Sequence, residues 1–336
     1  MSMKPLVGIR YAAADYELAS IREMGVEYVE LNLREEETTP EMLEAVKARL
    51  ASFDLKIGIL SCNSLQKNDI IDLNLTEKNG KAVSRDAEIA RFNQFVRNAA
   101  GAGIDVVSVA WQPTGIKRTG RGVGRFTRGG VSSYVEQAQI EALPHDYDRV
   151  YTQEEVWENF AYFLEKTSPV LKECGVRIAL HPNDPPLPSL CGVGSLIWNM
   201  DGYRKAIAMD KDGVVGVKMC IGCWLESGDR FGDVLSDIRE LQADNRIVCV
   251  HFRNVSSTLP DFEETLCEDG YADMYAIMKE LVKSGYEGTI SIDHAFAGYP
   301  EMGGMIGSFA YPTGYMKGLL HAAEAELGLR GGRNGK

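Results

Sequence analysis

Residues 8–17 read GIRYAAADYE. They close the first apolar run, LVGIR (6–10), and pass at once into an amphipathic segment, DYELASIREMG (15–25). In an open doubly wound sheet, this first strand-to-helix turn carries the GxGxxG that lets backbone approach a phosphate. Here the turn holds three alanines and no such glycines, so the open sheet loses its main support and a closed (β/α)8 barrel is expected.

The rest of the chain agrees with that choice. The hydrophobic period switches repeatedly between two and about 3.6. Strand-like runs recur at 26–33, 56–62, 104–111, 176–182, 214–220, 246–255 and 289–294, and nearly every one is followed by an amphipathic helical segment. Eight strand–helix units are the count for a barrel. Gly25, Gly103, Gly175, Gly285 and Gly328 stand where helices are expected to stop, at positions suited to a left-handed residue. A single barrel over 1–328 and a flexible tail over 329–336 are expected. Two connections, about 63–85 and 112–152, exceed the usual few residues. Both follow strands and therefore lie on the catalytic face of a barrel. The second contains Lys117, Arg118, Arg121, Arg125 and Arg128 spaced by glycines, which reads either as a solvated flexible loop or as a mobile cationic lid.

Composition removes several classes of function. The chain has 336 residues, is 45% hydrophobic and carries a formal charge of -12, from 36 Lys and Arg against 48 Asp and Glu. That balance disfavours nucleic acid, whose backbone calls for clustered cations. No run of 18 apolar residues suggests a membrane span. The start, MSMKPLVGIR, lacks the apolar core of a secretory signal, which predicts a cytoplasmic protein. Seven cysteines, an odd number, argue against a disulfide framework. One CxxC, Cys220–Cys223, has no second pair to complete a four-thiolate zinc site, and most thiols read as core filler.

The informative stretch is IALHPNDPP (178–186), an apolar strand ending in an imidazole and then stiffened by three prolines. Side chains on a strand alternate between faces. Ala179 and His181 share one face; so do Lys218 and Cys220, then Cys249, His251 and Arg253, then Ser291 and Asp293. The opposite faces are branched and apolar. If the small, polar faces point inward, His181, Cys220, His251 and Asp293 converge at the rim on four consecutive strands. Imidazole, thiolate and carboxylate together suit a divalent transition ion such as Mn, Fe, Co or Zn better than Ca or Mg. The prolines would hold Asn183 and Asp184 beside the ion.

These motifs resemble a known family. LHPNDPP (180–186), VKMCIG (217–222), VHFRNV (250–255), DGYADMYAIMKEL (269–281) and the pair Asp293–His294 are together similar to mannonate dehydratase, within the xylose-isomerase-like TIM barrels, over roughly 176–295. The resemblance implies dehydration of D-mannonate to 2-keto-3-deoxy-D-gluconate with a divalent metal, Mn first and Fe, Co or Mg as alternatives. Its ligand positions fall on His181, Cys220, His251 and Asp293. The family turn usually carries an acid where this chain has Asn183, and Ala295 stands where glycine is usual.

Such chemistry needs a group to move protons and cations to hold a small anionic sugar acid. His294 is the candidate base or acid, with Tyr311 and Asp184 as further catalytic candidates. Arg253, Asn183, Lys218 and Arg118 are the candidate substrate-binding residues. A sugar isomerase or epimerase of the same superfamily, a DNA-repair phosphodiesterase and a structural-zinc binding protein are the competing readings. A homo-oligomer is left open by the sequence.

Overall fold

The computed structural model describes residues 2–294, 296 and 304–329, with side chains in the last segment from Ser308 onward. Most of the tail expected at 329–336, and Ala295, lie outside the described residues. Eight parallel strands close a barrel: β1 (Lys4–Arg10), β2 (Tyr28–Leu33), β3 (Lys56–Cys62), β4 (Val106–Ala110), β5 (Arg177–His181), β6 (Val215–Cys220), β7 (Ile247–His251) and β8 (Thr289–Ser291). Each strand pairs with its neighbours in chain order, and β8 returns to β1 through Lys4 opposite Thr289.

The outer layer is eight helices: α1 (Asp15–Glu23), α2 (Pro40–Ala51), α3 (Arg85–Gly101), α4 (Gln153–Cys174), α5 (Met200–Met209), α6 (Val234–Ala243), α7 (Met274–Lys283) and α8 (Gly304–Glu326). Their boundaries follow from local chemistry. Thr152 accepts from the Glu155 amide, and the Glu155 side chain accepts from the Thr152 amide, which satisfies two orphan donors at the start of α4. The helix then stops at Gly175, whose φ of 65° relieves the crowding a Cβ would cause. Between these ends Trp157, Phe160, Phe163, Leu164 and Leu171 face the barrel. Burying each contributes about 1.5–3 kcal/mol. No helix among the described residues is long and apolar enough to cross a membrane.

The barrel interior is layered by strand alternation. Leu6, Ile59 and Cys249, with Tyr28 and Val106, form a small apolar cluster contributed by five strands. Two residues further along, the same faces present Glu30, Ser61 and Ser108, and β6 adds Lys218. The Lys218 ammonium lies 2.8 and 3.0 Å from the two Glu30 oxygens and 3.2 Å from Ser108 Oγ. Against burial, that ammonium holds the Glu30 carboxyl below its usual range. The strand ends then open onto the mouth.

The connection after β4 is neither a featureless loop nor a free lid. Gly120–Val123 and Val131–Glu136 pair as a hairpin, and the second strand pairs with Asp261–Thr265 from the connection after β7. Asn254–Val255 completes this four-stranded antiparallel sheet. A Cβ on Gly130, near the hairpin turn, would meet Phe296, which follows β8. The hairpin thus crosses from the β4 side of the mouth to the β7–β8 side. The other long connection forms the short helices Asn63–Gln66 and Asp69–Asp72 and a two-residue hairpin, Glu77–Lys78 with Lys81–Ala82.

Candidate metal centre and active site

The ends of β5, β6 and β7 bring His181, Cys220 and His251 together, with one ligand atom from each lying within 4.8 Å of the others. Asp293, just beyond β8, borders two of the three. Its Oδ2 is 3.6 Å from Cys220 Sγ, and its Oδ1 is 3.0 Å from His251 Nδ1. The two groups form an ion pair across a distance that two ligand atoms on one ion would also show. Two ligands at right angles around one ion, each bonded at roughly 2.1 Å, stand about 3 Å apart. His181 is oriented from behind, with Nδ1 2.7 Å from the Pro182 carbonyl. With the proton there, Nε2 carries the free lone pair. The donor set therefore fits a divalent ion.

Electrostatics prepare Cys220 for that role. Burial alone would raise its pKa, but a hydrogen bond from Cys223 and the charge of Arg253 hold the thiol well below its usual value. Cys223 is driven well above, by burial and by that same bond. Asp293 is likewise held well below the carboxylate range despite burial, by His251, His294 and Arg253.

Adjacent strand residues should face opposite ways, yet Asp293 and His294 serve one site. The cause is a three-residue turn in which the His294 amide donates to the Ile292 carbonyl at 2.8 Å, with Asp293 at φ 63°. His294 Nδ1 stands 3.0 Å from Glu264 Oε1, and Nε2 stands 3.6 Å from Asp293 Oδ1. Burial depresses the imidazole pKa, but Asp293 and Glu264 overcome it and raise it. With 35% of its side chain exposed, His294 can meet a ligand.

The other expected site residues are placed differently. Arg253 does not offer an open carboxylate fork. Its guanidinium is buried against Glu226 Oε1 at 2.7 Å, Asp293 Oδ2 at 3.1 Å and Cys220 Sγ at 3.6 Å. It packs flat on the short helix Ile221–Ser227, where a Cβ on Gly222 would lie 2.3 Å from its Cζ. Arg118 is also engaged: it grips Asp184 with both terminal nitrogens and donates to Glu264 at 2.7 Å. Asp184 is thereby tied to Arg118, while His181 takes its orientation from Pro182. Asn183 is a structural pin rather than a substrate contact, with Nδ2 donating to the Trp111 carbonyl at 3.3 Å and Oδ1 accepting from the Ile197 amide at 2.9 Å. Lys218 lies below the metal ring on Glu30. Tyr311 is half-exposed on α8, where its hydroxyl donates to Glu268 and receives Arg128. Neither partner belongs to the centre.

Three buried residues escaped the sequence reading. Cys223 and Glu226 follow Cys220 at intervals of three, one face of the short helix, and that spacing was the available signal. Glu226 is fully buried with Oε2 unpartnered, and burial together with Asp184 drives its pKa well above the usual range. Glu264 lies on the sheet strand beyond β7 and had no local signature. Asp184, Cys223 and Glu226 could by geometry hold a second ion, but Arg118 and Arg253 supply positive charge there already.

Comparison with known proteins matches this geometry. A family model described as D-mannonate dehydratase (UxuA) matches residues 132–326. A mannonate dehydratase of Streptococcus suis (strain 05ZYH33) is 29% identical over 244 residues, 65% of each chain, so the match spans just under two thirds of that relative's length. One from Streptococcus agalactiae serotype V is 25% identical over 290 residues, covering 78% of this chain and 80% of the relative. Among solved structures, mannonate dehydratase from Streptococcus suis serotype 2 superposes with a TM-score of 0.84 at 23% identity, over 98% of this chain and 97% of that one. A 3-keto-D-glucoside 4-epimerase from E. coli superposes at 0.62 and 14% identity, over 94% and 99%. The structural likenesses establish the (β/α)8 barrel fold. The family model spans more than half of the chain, and the chain belongs to the D-mannonate dehydratase family.

Proposed function

We propose that the protein is a metal-dependent hydro-lyase that converts D-mannonate to 2-keto-3-deoxy-D-gluconate and water. The observation that carries this reading is the convergence of His181, Cys220, His251 and Asp293 beside His294. The C2 proton of an aldonate is barely acidic, because the carbanion would form next to an existing negative charge. A divalent ion held by the four residues would stabilise the charge that develops on the carboxylate and C2 oxygens.

The chain's own groups do the rest. Neutral His294 takes the C2 proton on Nε2, the electron pair of the C2–H bond becomes the C2–C3 double bond, and the C3–O bond breaks as His294 hands that proton to the departing oxygen. The departing hydroxide takes a proton and leaves as water, and the enol product reverts to the 2-keto acid. His294 is the proton carrier: Nδ1 is held by Glu264, so Nε2 is the atom that exchanges. Arg253 keeps Asp293 and Cys220 anionic and fixed in place, and Gln112 holds the Asp184 turn through the Asp184 amide at 2.9 Å.

The test is direct. Manganese-loaded protein is incubated with D-mannonate and the 2-keto-3-deoxy acid is measured, with chelated protein as the control. Metal-dependent product is expected; none from D-mannonate or its epimeric hexonates overturns the reading.

A further inference from the structure

An acid substrate brings a carboxylate, yet the two buried guanidinium groups beside the candidate centre are already neutralised, Arg118 by Asp184 and Glu264 and Arg253 by Glu226 and Asp293. Lys67 differs. It ends the short helix Asn63–Gln66, which starts directly after β3, so it stands on the same rim as the metal ligands. Its side chain is half-buried. Among the described residues no carboxylate pairs with it, and the charges that act on it are Asp184, attractive, and Lys218, repulsive. Asp184 lies at the barrel's mouth and Lys218 inside it, so the Lys67 ammonium lies within electrostatic reach of the site. Burial pushes its pKa down, as befits a cation lacking a counter-ion.

The backbone around it is fixed. The Lys67 amide donates to the Asn63 carbonyl at 3.2 Å. The next residue, Asn68, accepts from the Ile70 amide at 3.1 Å and donates to Glu88 at 2.8 Å. A half-buried ammonium on a fixed base is costly to leave unpaired unless a ligand completes it.

We propose that Lys67 receives the carboxylate of the substrate and so makes this barrel select aldonic acids over neutral sugars. The proposal rests on the reading of the protein as an aldonate dehydratase. A lysine suits this role, because its compact charge can hold one carboxylate oxygen and leave the second open. The proposal also moves anion recognition to β3, away from the strands that bear the metal ligands.

The experiment compares manganese-loaded wild type with Lys67→Met, Lys67→Gln and Lys67→Arg. Met and Gln should raise KM for D-mannonate by roughly tenfold to a hundredfold, the worth of a charged hydrogen bond, with a much smaller change in kcat. Arg should recover part of the loss. Manganese affinity and inhibition by neutral D-mannitol should not change. An unaltered KM in both Met and Gln, or a parallel fall in manganese affinity, overturns the proposal. Should wild type form no keto acid, the dehydratase reading fails separately, and calorimetric titration with D-mannonate and D-gluconate still decides the role of Lys67. Weaker binding of both acids to Lys67→Met supports it; equal affinity, or no binding to wild type, overturns it.

Discussion

His294 shows how far one residue's surroundings set its role. Asp293 and Glu264 favour its charged form, and the left-handed turn at Asp293 aims it at the mouth. Replacing His294 with Asn should cut kcat on the order of a hundredfold or more while manganese still binds, measured by turnover and metal titration side by side. A quieter residue carries a second expectation. Burial and the charge of Glu268 push the Cys267 thiol up to about 12, so native protein should leave it unalkylated by iodoacetamide at pH 8, as peptide mapping would show. The meeting of His181, Cys220 and His251 was legible because alternation along β5 to β7 places each on the inward face, and Cys249 in the inner cluster has the same parity. The roles of Arg253 and Arg118 were not, because the acids that saturate them come from distant segments. Asn183 explains its own departure from the family turn: an amide can donate to Trp111 and accept from Ile197 at once, which a carboxylate cannot.

Among the elements, the eight strand–helix units were readable and the hairpin after β4 was not. Its first strand lies in GIKRTGRGVGRFTRGG, which lacks apolar alternation, and its second, Val131–Glu136, pairs through backbone with Asp261–Thr265, a partner far away in the chain. Arg118 is the side-chain tie between hairpin and barrel. Arg118→Met should destabilise the protein by about 3 kcal/mol, since it strands buried acids without their cation. Hydrogen exchange should show faster opening confined to the hairpin and its partner strand. Gly222→Ala should act on the same network from below, because the new methyl would collide with the Arg253 guanidinium; weaker manganese binding is its expected signature.

For the molecule as a whole, one large apolar core joins the outer faces of the strands to the helices that cover them. Chelation should abolish turnover and lower the melting temperature, yet leave the far-ultraviolet circular dichroism of a folded protein; collapse of that signal would favour a structural-zinc protein. Stability also has a pH-sensitive point remote from the metal. Asp72 is buried with Oδ2 unpartnered, and burial and Asp69 raise its pKa well above the usual value. The folded state therefore keeps a proton that the unfolded chain releases, so stability falls as pH rises from the ordinary aspartate value toward the raised one. Asp72→Asn should flatten that slope and gain on the order of 1 kcal/mol at pH 8, read from denaturant midpoints.

All four candidate ligands, His181, Cys220, His251 and Asp293, come from the second half of the cylinder, β5 onward, and the stretch the family model matches, 132–326, holds that half. The first four staves contribute none of them. Inheritance can treat the two halves differently: the later one must conserve its cation grip, while the earlier one is free to drift toward new acids. In a hybrid joining the opening staves of a distant relative to the closing staves of this chain, affinity for a divalent ion is expected to persist while the preferred acid changes.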